Sequence, residues 1–161
     1  MRFEPDLFDK LFYNAPDSST VRKISLDELK NSVARNIESI LNTRMIFSEE
    51  YMTRFPECTK SILTYGLNDF TGLSLSNSEA RDAIGESIRV AIKRHEPRLV
   101  GAEVTLEQRP QSIGGLQFAI KAMLVVHPAR EPVSFDAQFQ ATTGQYSVSR
   151  AGGRRPGAID G

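Results

Sequence analysis

The sequence predicts an α+β fold, with N-terminal helices packed on one face of a three- to four-stranded antiparallel sheet. Three observations carry that prediction. Two segments before residue 97 repeat apolar residues at helical spacing, and a serine with a glutamate three residues on opens each. After Pro97 the apolar period changes to two. Glycines and prolines then separate the alternating runs at distances that suit hairpins rather than crossovers.

The first element is a short helix over residues 5–13. Pro5 suits a first helical turn, and Leu7, Phe8, Leu11 and Phe12 form an apolar stripe. That stripe fits docking on the chain's own domain or on a partner. Residues 14–20 are polar and read as a linker. Ser25 and Glu28 make a capping box for a helix over 26–41, along which Leu26, Leu29, Val33, Ile37, Ile40 and Leu41 recur. Residues 45–60 keep no clean period, and Phe55-Pro56 argues against a continuous helix there. A short element at 61–64 leads into a turn-rich run. A second capping box, Ser76 with Glu79, opens a helix that ends near Glu96 because Pro97 biases its predecessor away from helix.

Four strands follow. Ala102, Val104 and Leu106 alternate in the first, and a long run over 116–126 makes the second. Val133, Phe135, Ala137 and Phe139 make the third, and Tyr146 and Val148 a short fourth. Gly114-Gly115, Pro128-Ala129 and Thr143-Gly144 separate them. Ala119, Met123 and Val125 add apolar character to the second strand's other face, which implies cover at one end. The expected organisation is a helix and linker at 1–24, a domain at 25–150 and a disordered tail at 151–161.

Composition narrows the function. Twenty Lys and Arg balance twenty Asp and Glu, so no global field points to nucleic acid. The extreme C-terminus offers the one candidate for a local basic patch, and its Arg154 and Arg155 read as solvated tail. Cys58 is the sole cysteine and His95 and His127 the only histidines, so neither a disulfide framework nor a metal site is expected. No cofactor is implied. The first residues lack an apolar leader, and no run is long enough to span a bilayer, so no membrane insertion and a cytoplasmic location are expected.

Glu96-Pro97-Arg98 is the most informative triplet. Proline fixes a corner between helix and strand and sets a carboxylate and a guanidinium on either side, where pairing would be bidentate. An internal capping pair and a partner contact both fit that spacing. Glu96 as a catalytic acid would need a second carboxylate, and Asp69, Glu79 and Asp82 do not stand out from ordinary loop and cap acids. His95 fits a helix-dipole contact. The long strand over 116–126 is too extended and apolar to leave bare, which favours a partner strand at a sheet edge.

Residues 36–44, 61–72 and 96–99, in that order, resemble the TssE family of type VI secretion systems, and Glu131 to Asp136 match a strand near that family's C-terminus. TssE is grouped with a lysozyme-like baseplate wedge protein of contractile-tail phages. The resemblance spans about 25–150. Asn68 departs from it, since proline is the commoner family residue there. The resemblance implies a non-enzymatic baseplate subunit that joins the TssF and TssG wedge subunits, with TssK a further candidate partner. It also implies seeding of the TssB/TssC sheath, partly by strand addition. Glu96, Pro97 and Arg98 fall on the family's assembly motif. Tyr65, Gly66, Leu67, Asp69 and Phe70 form a second candidate partner surface, with a packed turn as the plain alternative. The rival reading is a peptidoglycan-hydrolysing enzyme using Glu96.

Overall fold

The computed structural model describes residues 3–12, 23–70, 77–107, 116–140 and 142–152. Helices α1 (Leu7–Phe12), α2 (Leu26–Asn42), α3 (Glu49–Met52) and α4 (Ser78–His95) precede strands β1 (Leu99–Glu107), β2 (Gln117–Val126), β3 (Ala129–Gln140) and β4 (Gln145–Arg150). The linker over 14–20, the Ser76 cap, Gly114-Gly115 and the basic pair Arg154 and Arg155 lie outside the described residues.

The capping box of α2 forms as its sequence dictates: Glu28 N–H donates to Ser25 Oγ at 3.2 Å and Ser25 N–H to Glu28 Oε2 at 2.8 Å. Asn77, one residue after the expected serine, caps α4 by accepting from Glu79 N–H at 2.9 Å. Its side-chain oxygen reaches the second residue of the helix, so a capping box is not the geometry used. The stretch over 45–60, with no apolar period, contains α3 and a 3-10 turn at Pro56–Cys58, and a second 3-10 turn covers Ile62–Thr64.

The four strands form an antiparallel meander in the order β1-β2-β3-β4. Helix α4 packs over β1 and α2 over β4, both on the same face. Rows of inward residues cross the sheet in register: Leu106–Phe118–Ala137–Val148 and Val104–Ile120–Phe135–Arg150. Phe118, Ile120 and Phe135 are wholly buried against Val33, Ile37, Ile84, Ile88 and Ile92. His127 and Pro128, joined by a cis peptide bond, form the two-residue turn between β2 and β3.

Two expectations change here. β2 is an interior strand, paired on both sides, so its apolar length explains burial within the chain and gives no reason for a partner. The free edges belong to β1 and β4. On the sheet's other face Ala119 is buried, yet Met123 remains exposed, and among the described residues no element covers that end.

The segment before α2 folds back. Phe3 and Ile24 exchange backbone hydrogen bonds of 2.8 Å each, and Asp9 pairs with Arg35 at 2.6 Å. Phe3 also packs against the core and Pro5 is buried, so the contact is partly apolar. Leu7 and Leu11 each stay 67% exposed, so half of the predicted apolar stripe points outward; the side chains of Phe8 and Phe12 lie outside the described residues.

Candidate functional site

Three chain segments meet where α4 gives way to β1. Glu96 ends the helix, its N–H still donating to Ile92 C=O at 2.9 Å. Pro97 turns the chain outward, and Arg98 C=O then accepts from Val125 N–H at 2.8 Å, which joins the corner to the sheet. The proline is exposed and the two charged side chains fold together behind it. Arg98 Nε donates to Glu96 Oε1 and Arg98 Nη2 to Glu96 Oε2, both at 2.6 Å. This is a bidentate, charge-assisted fork within the chain.

The two partners differ in access. The Glu96 side chain is only 3% exposed, while that of Arg98 is 26% exposed. The carboxylate is the hidden anchor and the guanidinium the visible half. Asn36 from α2 lies behind it, 3.5 Å from Glu96 Oε2 at the long limit of a hydrogen bond, and donates to Asp6 Oδ2 at 3.1 Å. Asp6 Oδ2 also accepts from the buried Ser32 hydroxyl at 2.9 Å, and Asp6 Oδ1 accepts from Asp9 N–H at 2.7 Å.

Burial works against the Arg98 charge, but the hydrogen bonds and charge of Glu96, aided by Asp6 and Asp9, more than offset it and raise its pKa above the ordinary value. Burial likewise pushes Asp6 up, and the Asp9 amide, Ser32, Asn36 and the Arg98 charge together hold it below the ordinary carboxylate value. The corner is therefore a fixed cation ringed by acids.

The neighbouring loop is held differently. His95 Nε2 lies 2.7 Å from Thr64 C=O, and its ring meets Tyr65 edge-on at 5.2 Å between centroids. A carbonyl only accepts, so Nε2 carries the proton. Burial lowers the His95 pKa, and the Arg94 charge adds to that, against the opposing pull of Thr64 C=O. His95 thus clips the loop to α4, a role beyond the dipole contact expected of it. Leu67 N–H donates to Thr43 C=O at 2.9 Å and Met45 N–H to Leu67 C=O at 2.8 Å, which stitches the loop to the end of α2. Gly66 has φ +116°, and a Cβ there would stand 2.5 Å from Thr43 O, so both conformation and space demand glycine.

Residues 27–129 match the family model of the baseplate wedge protein gp25. The chain belongs to that family. No curated protein matches the chain significantly. The match agrees with the resemblance to TssE read from the sequence and makes a structural role in a baseplate the function of this chain.

In this baseplate wedge protein the predicted site residues divide. Glu96, Pro97 and Arg98 come together, with Pro97 and part of Arg98 at the surface. Of the second group, Leu67 is 1% exposed in the core and Gly66 is buried, so neither can touch a partner: both are consumed by docking the loop. Tyr65 and Phe70 are half-buried against the core, and Asp69 is exposed. The enzyme reading also meets this geometry. A general acid must reach its substrate, and Glu96 is enclosed with both oxygens held by Arg98. Sequence reasoning passed over Asp6, Asn36 and Thr43. Asn36 and Thr43 lie in the 36–44 run that carries the family resemblance; Asp6 had no local signal.

Proposed function

We propose that this baseplate wedge protein is the TssE-like subunit of a type VI secretion baseplate, acting in the cytoplasm. It joins the TssF and TssG wedge subunits through the corner at Pro97 and Arg98 and the adjoining exposed part of the loop at Tyr65, Asp69 and Phe70. It then offers a sheet edge to the first TssB/TssC sheath subunits, with TssK a further candidate contact.

One observation carries the reading. The buried Glu96 holds Arg98 by two hydrogen bonds of 2.6 Å, so a partly exposed guanidinium is presented with its rotamer already fixed. A preorganised arginine loses little freedom on binding and is suited to anchoring an acidic or carbonyl-rich partner surface. Glu96 acts through Arg98 and does not itself reach the partner.

Co-expression with TssF and TssG of the same system tests this. The wild-type chain should co-purify with them as a defined complex. The double variant Glu96→Ala/Arg98→Ala removes both charges together, so no lone charge is stranded. It should stay folded by circular dichroism and lose the complex. A wild-type chain that forms no complex would overturn the wedge assignment, and a double variant that binds normally would remove the corner from the interface.

A further inference from the structure

We propose that the outer edge of β1, and not that of β4, accepts an extended strand from another chain, with residues 103–107 setting the register. The inference rests on the sheath-seeding reading above and adds to it the choice of edge and the chemistry of the incoming strand.

The β4 edge is already filled. Tyr146 donates its N–H to Asn42 Oδ1 at 2.8 Å and accepts at its C=O from Asn42 Nδ2 at 2.9 Å. Val148 N–H donates to Glu38 Oε2 at 2.7 Å. Main-chain groups of alternate residues in a strand point to alternate neighbours. Tyr146 and Val148 are the outward set, and side chains one turn apart on α2 occupy them. One asparagine reproduces on Tyr146 the pair of bonds that a further strand would make there. An incoming strand would have to expel Asn42 and Glu38 first.

The β1 edge has no such plug among the described residues. The bonds from Val125 N–H to Arg98 C=O and from Phe139 N–H to Leu116 C=O fix the phase of β2. Its odd-numbered residues face β1 and its even-numbered ones face β3. Glu103, Thr105 and Glu107, paired with Lys121, Ala119 and Gln117, therefore direct their main-chain groups to β2. The main-chain groups of Val104 and Leu106 point away from the sheet.

The side chains indicate what fits. On the helix-covered face Phe118, Ile120, Phe135 and Ala137 are fully buried, but Ala102, Val104 and Leu106 are only partly so. The apolar layer is unfinished at β1, and a strand with apolar residues opposite Val104 and Leu106 would complete it. The other face of β1 carries Glu103, Thr105 and Glu107, which favours basic or hydroxyl residues opposite them. The register shift between Val100 and Glu103, with Gly101 at φ +65°, is a bulge that interrupts regular pairing before residue 103. The occupant is thus a short amphipathic strand with alternating apolar and basic or hydroxyl residues.

Val104→Pro tests the edge. The Val104 N–H is not used in the β1–β2 ladder, and edge positions of this kind tolerate proline. The variant should fold and bind the wedge subunits, yet fail to seed TssB/TssC polymerisation as followed by light scattering and electron microscopy. Seeding at the wild-type rate would overturn the proposal while leaving strand addition elsewhere intact. If the wild-type chain itself fails to seed, the sheath-seeding reading falls, and amide exchange of the free protein still decides the edge. Val104 and Leu106 should exchange more than about tenfold faster than Tyr146 and Val148. Equal protection at the two edges would mean that β1 is not open, and the proposal would be wrong.

Discussion

His95 and Glu96 are consecutive, yet they organise two regions by opposite means. Glu96 holds the corner through charge: a buried carboxylate, a guanidinium and the acids of the N-terminal segment. His95 holds the loop through neutral contacts: one hydrogen bond to Thr64 C=O, an edge-on ring and the buried Leu67 beyond. A buried charge pair is stable only as a pair, because each partner offsets the desolvation of the other. A neutral loop contact has no such counterpart to strand. The corner should therefore fail abruptly when one member is lost, and the loop in proportion to the packing removed.

The largest effect should come from Arg98→Ala. It leaves the Glu96 carboxylate buried without its fork, and the expected loss is about 3–5 kcal/mol of folding stability. Urea denaturation measures it without the screening that guanidinium salt would add. Glu96→Ala/Arg98→Ala should lose less than Arg98→Ala alone, since no charge is stranded. Equal losses would mean that the corner is held by packing after all.

Leu67→Ala comes next. Its side chain lies fully in the core, so truncation should cost about 2–4 kcal/mol through lost burial and the cavity left behind. Unlike the loss at Arg98, this one should not shrink when a second residue is removed from the corner. Strong coupling between Leu67→Ala and Arg98→Ala in a double-mutant cycle would show that the two regions are one unit.

The third effect separates the N-terminal segment from both. Asp6→Ala removes the acceptor for Ser32 and Asn36, for an expected loss of about 1 kcal/mol. The Asp6 pKa is lowered on folding, so its contribution is present above the unfolded value near 3.8 and disappears as pH falls through the folded one. The difference between wild type and Asp6→Ala should accordingly close in strong acid.

What could be read in advance follows the range of the interaction. The helix over 26–41, the switch to period two and the hairpin separators depend on neighbours a few residues away, and they yield α2 and the meander directly. Whether a strand lies inside the sheet or at its edge depends on pairing on both sides, which apolar length alone does not specify; β2 was misjudged for that reason. The loop at 65–70 has turn composition, and nothing local distinguishes a leucine that enters the core from one that faces a partner. For Glu96 the residue type and spacing implied a fork with Arg98. Its burial depends on Asn36 and the Asp6 segment, brought together only by the fold.

The smallest effect is the most diagnostic of the two binding modes. Burial lowers the His95 pKa in the folded protein below the ordinary value of 6.5, so the unfolded chain takes up a proton first as pH falls. Stability therefore declines as pH drops below about 6.5 and levels off below the folded pKa, while above the ordinary value this group contributes no slope. His95→Gln keeps a side-chain N–H for Thr64 but cannot titrate. The variant should lose that slope, read as urea midpoints between pH 7 and pH 5, and amide protection around Tyr65, relative to the intrinsic exchange rate at each pH, should fall in acid only in the wild type. A wild-type midpoint that is flat over the same range would mean that the loop's hold on α4 does not depend on a neutral His95, and the contrast between the two regions would then reduce to packing alone.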